Sequence, residues 1–334
     1  MTLIKELLDA GFYVAATSRK ASALIEAVGE AAGSAGARQG AGAVRGAASG
    51  GAGEAGAAVG AAAGESGQGG GAVFGVASGG AGEAGAAGGA EAGGAGEAGA
   101  DGFGGRFLPL EVSLTQEASV QRAVEATLEA FGRIDVVVNN AGYGQVGTLE
   151  ETSDQEARQN FDINVFGALN VIRRVMPHFR ARRAGMILNI GSVGGYVGGF
   201  PGWGIYCATK FAVAGFTEAL AAEVKEFGVK AVAVYPGYFR TEFLSEGSMA
   251  LPAAPIQDYS AARQSVSIHQ HQLDGQQQGD PVKAAAVLMR VAEAENPPLH
   301  LFLGRDAYEM VEAKIAEVRK DLTSWEKETV STGY

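Results

Sequence analysis

The chain is short of cysteine, histidine and positive charge, and each shortage excludes something. Of 334 residues one is cysteine, Cys207, so no internal disulfide can form and a reducing compartment, the cytoplasm, is expected. A small helix-packing role suits Cys207 better than a redox one. There are four histidines. His269 and His271 stand two apart, a spacing that places both on one side of an extended segment. No third ligand accompanies them, so no metal is expected. A net charge of −11 and a pI of 5.0 argue against nucleic acid or an anionic membrane as the main partner. No apolar run reaches the length of a bilayer crossing. Leu3 to Leu8 already read as an amphipathic helix, so no signal peptide is expected.

Glycine, by contrast, is abundant, and more than half of the 52 glycines fall between residues 29 and 105. Ser49-Gly50-Gly51-Ala52-Gly53-Glu54-Ala55-Gly56-Ala57-Ala58 recurs unchanged over 78–87. Glycine this dense costs much ordering entropy and offers almost no side chain to bury. Residues 31–105 therefore read as a disordered low-complexity insertion in a surface loop, tolerable if its ends stay close. Residues 1–30 and 106–334 remain, enough for one α/β domain with a substantial core. Within the insertion, Ala72-Val73-Phe74-Gly75-Val76 and the glycines up to Gly82 have the outline of a strand and a phosphate-cradling turn. The repeat explains those glycines more simply, so no structural role is assigned to them.

Outside the insertion, short apolar runs alternate with helical periodicity. Phe12–Thr17, Phe107–Val112, Ile134–Val138, Met186–Ile190, Lys230–Tyr235 and Leu299–Leu303 read as strands. Helices are expected up to Gly11, over 120–131, over 154–183 with a bend near Pro177, over 206–227 and 283–295, and from Ala307 onward. The alternation predicts a doubly wound parallel sheet. A Gln-rich loop spans 239–280.

Three residues carry the chemistry. Ser192 follows the strand at 186–190. Tyr206 and Lys210 are four apart, so on a helix they share one face, one turn apart. A nearby ammonium favours phenolate and lowers a tyrosine pKa from about 10. A phenol so tuned exchanges a proton with a carbonyl or alcohol oxygen, and a serine hydroxyl can hold that oxygen.

Around these residues stand Asn139-Asn140-Ala141-Gly142 after an apolar run, Asn164 in Asp162-Ile163-Asn164-Val165-Phe166-Gly167, Pro236-Gly237 after another apolar run, and Thr241 four residues later. In this order and spacing the chain resembles the short-chain dehydrogenase/reductase family, well over 1–30 and 106–245 and loosely beyond. The resemblance implies a Rossmann-like α/β fold and an NADP(H)-dependent oxidoreductase. It interconverts a small-molecule carbonyl and a secondary alcohol, with catalytic residues Asn164, Ser192, Tyr206 and Lys210. Tyr206 becomes the acid or base, Lys210 lowers its pKa, Ser192 orients the oxygen, and Asn164 holds a water that relays protons. Cofactor contacts carried over by position are Ser18, Arg19, Glu111, Val112, Asn140, Ala141, Gly142, Tyr206, Lys210, Pro236, Gly237 and Thr241. The family usually holds the ribose of NAD with a carboxylate after its second strand. Here Ser18-Arg19-Lys20 offer none, and an arginine pairs instead with a 2′-phosphate, so NADP(H) is favoured over NAD(H). Tyr196, Phe200 and Trp203 hint at a lipophilic ketone or aldehyde, although plain packing also explains them. By analogy helices 154–183 and 206–227 imply a homo-oligomer.

One departure cuts against this reading. The family begins with a strand and a Thr-Gly-x-x-x-Gly-x-Gly turn, whereas this chain begins in the helix that follows them. The expectation is a sheet whose first strand is missing, leaving a gap between 12–17 and 134–138. The alternatives are therefore a catalytically inactive member serving as a binding or oligomerisation module, and a truncated product that folds poorly.

Overall fold

The computed structural model describes residues 1–38, 72–76, 103–245 and 248–334, with backbone alone over 30–38 and 72–76. The described chain opens with α1 (Thr2–Asp9), β1 (Tyr13–Ser18) and α2 (Ala21–Arg38). Then come β2 (Ala72–Val76), β3 (Phe107–Glu111), α3 (Glu117–Phe131) and β4 (Val136–Asn139). A short β5 (Gly144–Gln145) precedes α4 (Asp154–Phe161) and α5 (Gly167–Arg182). Next are β6 (Gly185–Ile190), α6 (Gly204–Val224), β7 (Val229–Pro236) and β8 (Met249–Ala250). The chain closes with α7 (Ser260–Ile268), α8 (Pro281–Glu293), β9 (His300–Leu303), α9 (Arg305–Ser324) and α10 (Glu326–Val330).

The main sheet is parallel, in the order β3-β1-β2-β4-β6-β7-β9. Successive strand residues face opposite sides, and the sequence uses that period. Val14, Ala16, Val138, Leu188 and Val232 join Leu8, Leu24 and Leu288 in one core. Ala15, Val137, Ile187 and Ala231 join Val124, Phe179 and Leu220 in the other. Helices therefore cover both faces, as a doubly wound sheet requires.

The expected gap between β1 and β4 is filled. Ala72–Val76 pairs with β1 from Tyr13↔Ala72 to Thr17↔Val76, and with β4 from Val73↔Val136 to Val76↔Asn139. The chain thus supplies the sheet's middle strand from inside the Gly/Ala segment, after β1 instead of before it. Two unpaired ladder edges attract any short strand-forming run within reach. A long tether adds little to the closure cost, since each doubling adds only about 0.6 kcal/mol. The rest of the Gly/Ala segment, 39–71 and 77–102, lies outside the described residues, and so do the repeat and the glycine turn noted above.

Two smaller expectations change. The long helix over 154–183 is interrupted by a π-helical turn, Asp162–Phe166, while Pro177 lies inside an otherwise continuous α5. His269 and His271 lie in a helical turn, His269–Leu273, not in an extended segment. The loop after β7 is tied back to the body. β8 pairs with β5, and the buried Glu151 carboxylate accepts from Ile256 N at 2.6 Å and from Arg263 at 2.7 Å.

Because β2 is hydrogen-bonded on both sides, a proline there removes a ladder donor. We expect Phe74→Pro to lower the melting temperature sharply. An unchanged melting temperature would show that the sheet does not depend on this strand.

Candidate active site

The strands' carboxyl ends, the loop after β7, the start of α1 (Met1 to Ile4) and α8 line a cavity of about 720 Å³. Open α/β sheets bind ligands at this edge. Ser192, Tyr206, Lys210, Asn140, Gly142, Pro236, Gly237 and Thr241 all line it.

Each arrives on a distinct element. Ser192 ends the turn out of β6 and caps a short 3₁₀ turn, Val193–Gly195, its Oγ accepting from Gly194 N at 3.0 Å. Tyr206 and Lys210 sit on the first turns of α6. The 3₁₀ turn can lie against α6 because Gly195 has no side chain. A Cβ there would stand 2.6 Å from the Lys210 carbonyl oxygen. The close approach brings the Ser192 hydroxyl to the Tyr206 phenol, where it favours the ionised form.

Asn164 occupies the π-helical turn, a distortion frequent at functional sites. Its side chain is fully engaged in scaffolding. Oδ1 accepts from Tyr143 N at 3.1 Å, while Nδ2 donates to Tyr143 O at 3.1 Å and to Thr209 Oγ1 at 3.0 Å. Asn160 Nδ2 also donates to Tyr143 O, at 3.0 Å. The two amides fix the turn after β4, and Thr209 carries the tie into α6 beside Lys210. Sequence reasoning identified Asn164 and missed Thr209 and Asn160, whose roles exist only once β4, α4 and α6 meet.

Electrostatically the site differs from the simple expectation. Tyr206 is 7% exposed, and burial pushes its phenol well above the usual value, with the Ser192 hydroxyl pulling the other way. The expected lowering by Lys210 is not seen. The ammonium donates to Ile190 O at 3.0 Å, 5.7 Å from the phenol ring centre, and burial lowers its own pKa to about 8. Cys207 is buried, and its thiol is pushed up to about 11 by that burial, so it is poorly reactive.

The dinucleotide contacts divide into two groups. Asn140 and Gly142 lie beyond the end of β4, and a Cβ on Gly142 would meet Asn164 Oδ1 at 3.0 Å and Lys210 Nζ at 3.5 Å. Only glycine leaves this backbone open to the cavity. Tyr238 N donates to Asp306 at 2.7 Å, which pins the Pro236-Gly237 turn. Thr241 caps a 3₁₀ turn, Glu242–Leu244. On the other side, Ser18 ends β1 next to β2, and the exposed Arg19 follows it. Glu111 pairs with Ser18, and the buried Val112 donates its N–H to Ser18 O at 2.8 Å. These four do not line the main cavity, and neither does Ala141.

Of the aromatic residues singled out, Phe200 and Trp203 line the cavity, with the Trp203 ring 5.6 Å from Tyr206. Tyr196 packs instead against Tyr235 and Phe302. Phe243, Leu244, Tyr238, His269 and Gln277 complete the wall from the Gln-rich loop. No periodic pattern marks them in the sequence, and only tertiary folding brings them here. His269 is held by Ser265 O at 2.7 Å and Tyr238 Oη at 3.0 Å.

Burial of Lys210 gives a pH-dependent stability. Its pKa falls from 10.5 to about 8 on folding, so between those values the unfolded chain binds more protons and stability rises with pH. Lys210→Met should therefore be more stable than the wild type at pH 7, the difference fading between pH 8 and 10.5. Denaturant titrations of both proteins across that range check this; a difference independent of pH would contradict it.

Comparison with known proteins agrees with this architecture. A sequence model described as short chain dehydrogenase matches residues 61–250, a span that includes β2. The chain is 37% identical over 202 residues to a 3-ketodihydrosphingosine reductase of Bacteroides thetaiotaomicron, covering 60% of this chain and 74% of that one. It is 34% identical over 213 residues to an oxidoreductase of Botryotinia fuckeliana, covering 64% and 76%. Among solved structures, a short-chain dehydrogenase from Streptomyces avermitilis matches with 35% identity and a TM-score of 0.62 over 70% of this chain and 85% of that one. A Burkholderia phymatum relative in complex with NAD, 19% identical with a TM-score of 0.59 over 93% and 95%, shares the fold. The parallel sheet, the polar set at its carboxyl edge and these likenesses establish that the chain belongs to the short-chain dehydrogenase family and is an oxidoreductase of that type.

Proposed function

We propose that the chain interconverts a carbonyl and a secondary alcohol by hydride transfer with NADP(H), Tyr206 serving as the acid or base. The observation that carries this reading is that Ser192, Tyr206 and Lys210 line one cavity together with the apolar Phe200, Trp203 and Phe243. The name of the Bacteroides relative, a ketone reductase, is consistent with it.

The residues present fit a dinucleotide at its nicotinamide end. The glycine backbone at 142, the Lys210 ammonium and the Pro236-Gly237 turn face the same space. To Arg19, which follows β1, we assign the 2′-phosphate of NADP(H), because an arginine and no carboxylate stands there. When bound, the cofactor supplies or accepts the hydride at the substrate carbon.

The rest is this chain's work. Ser192 donates a hydrogen bond to the substrate oxygen and stabilises charge there as the carbon accepts hydride. Tyr206 Oη passes its proton to that oxygen and the alcohol forms. In the reverse direction the phenolate takes the proton back. A phenol held protonated by burial suits the acid role near neutral pH. Phe200, Trp203 and Phe243 exclude water and favour an apolar substituent. The poorly folding, truncated reading rested on an empty middle slot, and β2 occupies that position; the non-catalytic reading rested on the missing glycine turn, and the residues after β2 lie outside the described ones.

Three outcomes follow. Tyr206→Phe should lower kcat for ketone reduction by about 10²–10⁴-fold while NADPH binding, followed by fluorescence titration, is unchanged; near wild-type turnover would remove Tyr206 as the acid. Arg19→Asp should shift the ratio of kcat/KM for NADPH over NADH toward NADH, and an unaltered ratio would remove the basis for choosing NADP(H). Alcohol oxidation should speed up with rising pH from 7 to 9 while ketone reduction does not, because oxidation needs the phenolate. Parallel pH profiles in both directions would contradict the assignment.

A further inference from the structure

The last helix carries an apolar stripe that the domain does not use. Tyr308, Val311, Ile315, Val318, Leu322 and Trp325 recur at alternating steps of three and four, the a/d seam of a coiled coil. Val311 is buried against its own domain beside Val193 and Ala307. The others are open to solvent: Tyr308 65%, Ile315 38%, Val318 43%, Leu322 61% and Trp325 64% exposed. Beyond Val311 every residue except Lys314 is exposed, so α9 projects from the body. A lone projecting helix is marginal in water, and a contiguous apolar stripe marks an interaction surface.

The charges beside the stripe identify what covers it. Glu312 and Arg319 flank one side; Lys314 and Asp321 flank the other. In a parallel pair, Lys314 would face Arg319 of the second copy and Asp321 would face its Glu326, like against like. In an antiparallel pair with Ile315 opposite Val318, Trp325 meets Tyr308, and Leu322 comes against the edge of the body where its own domain covers Val311. In that register Glu312 faces Arg319 and Lys314 faces Asp321, and two-fold symmetry repeats both pairs. Glu312, Arg319 and Asp321 form no ion pair among the described residues. A lipid surface fits less well, because acidic side chains outnumber basic ones between 305 and 328, whereas membrane-surface helices carry a basic polar face.

We propose that α9 docks antiparallel against α9 of a second copy of this chain, through the stripe Tyr308–Trp325 with Ile315 opposite Val318. This surface is distinct from the helices 154–183 and 206–227 that family analogy nominates for assembly. It joins protomers, or pairs of protomers, end to end through a two-fold axis near Ala316.

Sedimentation equilibrium of the full chain at several concentrations tests this. The wild type should show twice the mass of Val318→Asp/Leu322→Asp at the same concentration, with the same circular-dichroism spectrum because both positions are exposed in the protomer. Glu312→Lys alone places like charges at both ends of the pair and should raise the dissociation constant about tenfold or more. Glu312→Lys/Arg319→Glu should restore it. Equal masses for all four proteins would overturn the proposal. So would equal masses combined with flotation on phosphatidylcholine–phosphatidylserine vesicles that the Val318→Asp/Leu322→Asp variant loses, which would assign the stripe to lipid.

Discussion

A parallel sheet cannot do without its middle strand. Each interior strand completes the hydrogen bonds of two neighbours and separates two helical layers, and there is no water inside to substitute. In this chain β1 and β4 both pair with Ala72–Val76, a run that comes after β1 in sequence. Everything functional depends on that insertion. β1 presents Ser18 and Arg19, β4 presents Asn140 to Gly142, and the distance between those two groups is set by the strand between them. With the slot closed, the dinucleotide's two halves meet a continuous sheet edge. With it open, the sheet would be two fragments, and marginal stability of about 5–15 kcal/mol would not cover the exposed faces.

The catalytic half is organised by polar ties that are themselves buried. Asn164 and Asn160 hold the backbone of Tyr143, Thr209 links that turn to α6, and Asn139 donates to Asn189, which donates to Thr217. A buried network of this kind fixes positions to a fraction of an ångström at the cost of desolvating every member. The same desolvation sets the charges. It raises the Tyr206 phenol and lowers the Lys210 ammonium, so burial favours the neutral form of each and their proton affinities, nearly equal in the free side chains, move apart. Burial, more than the charge of Lys210, sets the protonation of the Tyr206 phenol.

Much of this was legible in the residues. The strands at 13–18, 107–111, 136–139, 185–190 and 229–236 follow from short apolar runs, and the i, i+4 spacing of Tyr206 and Lys210 places both on one face. Ser192 and the Gly142 backbone line the cavity, whereas Asn164 does not and is tied to Tyr143 instead. Three things were missed. The outline of the middle strand showed at 72–76 but was given no structural role, because the composition around it argues for entropy while the decisive gain is pairing on two edges. The π-helical turn at 162–166 left no signature distinct from helix, and Pro177 drew the expected bend to the wrong place. The wall built by Tyr238, Phe243, His269 and Gln277 comes from a loop whose sequence has no period. The charged tail helix, read from the sequence only as a helix with a frayed end, carries a heptad stripe that becomes informative once its exposure is known.

Hydrogen–deuterium exchange over the peptide spanning 72–76 tests the central claim most directly. The account predicts protection comparable to the peptides of β4 and β6, with exchange only through global opening, because both edges of Ala72–Val76 are paired. Exchange at the rate of an unstructured peptide, while β4 and β6 stay protected, would mean that the sheet holds together without this strand, and the account of the fold and of the site built on it would be wrong.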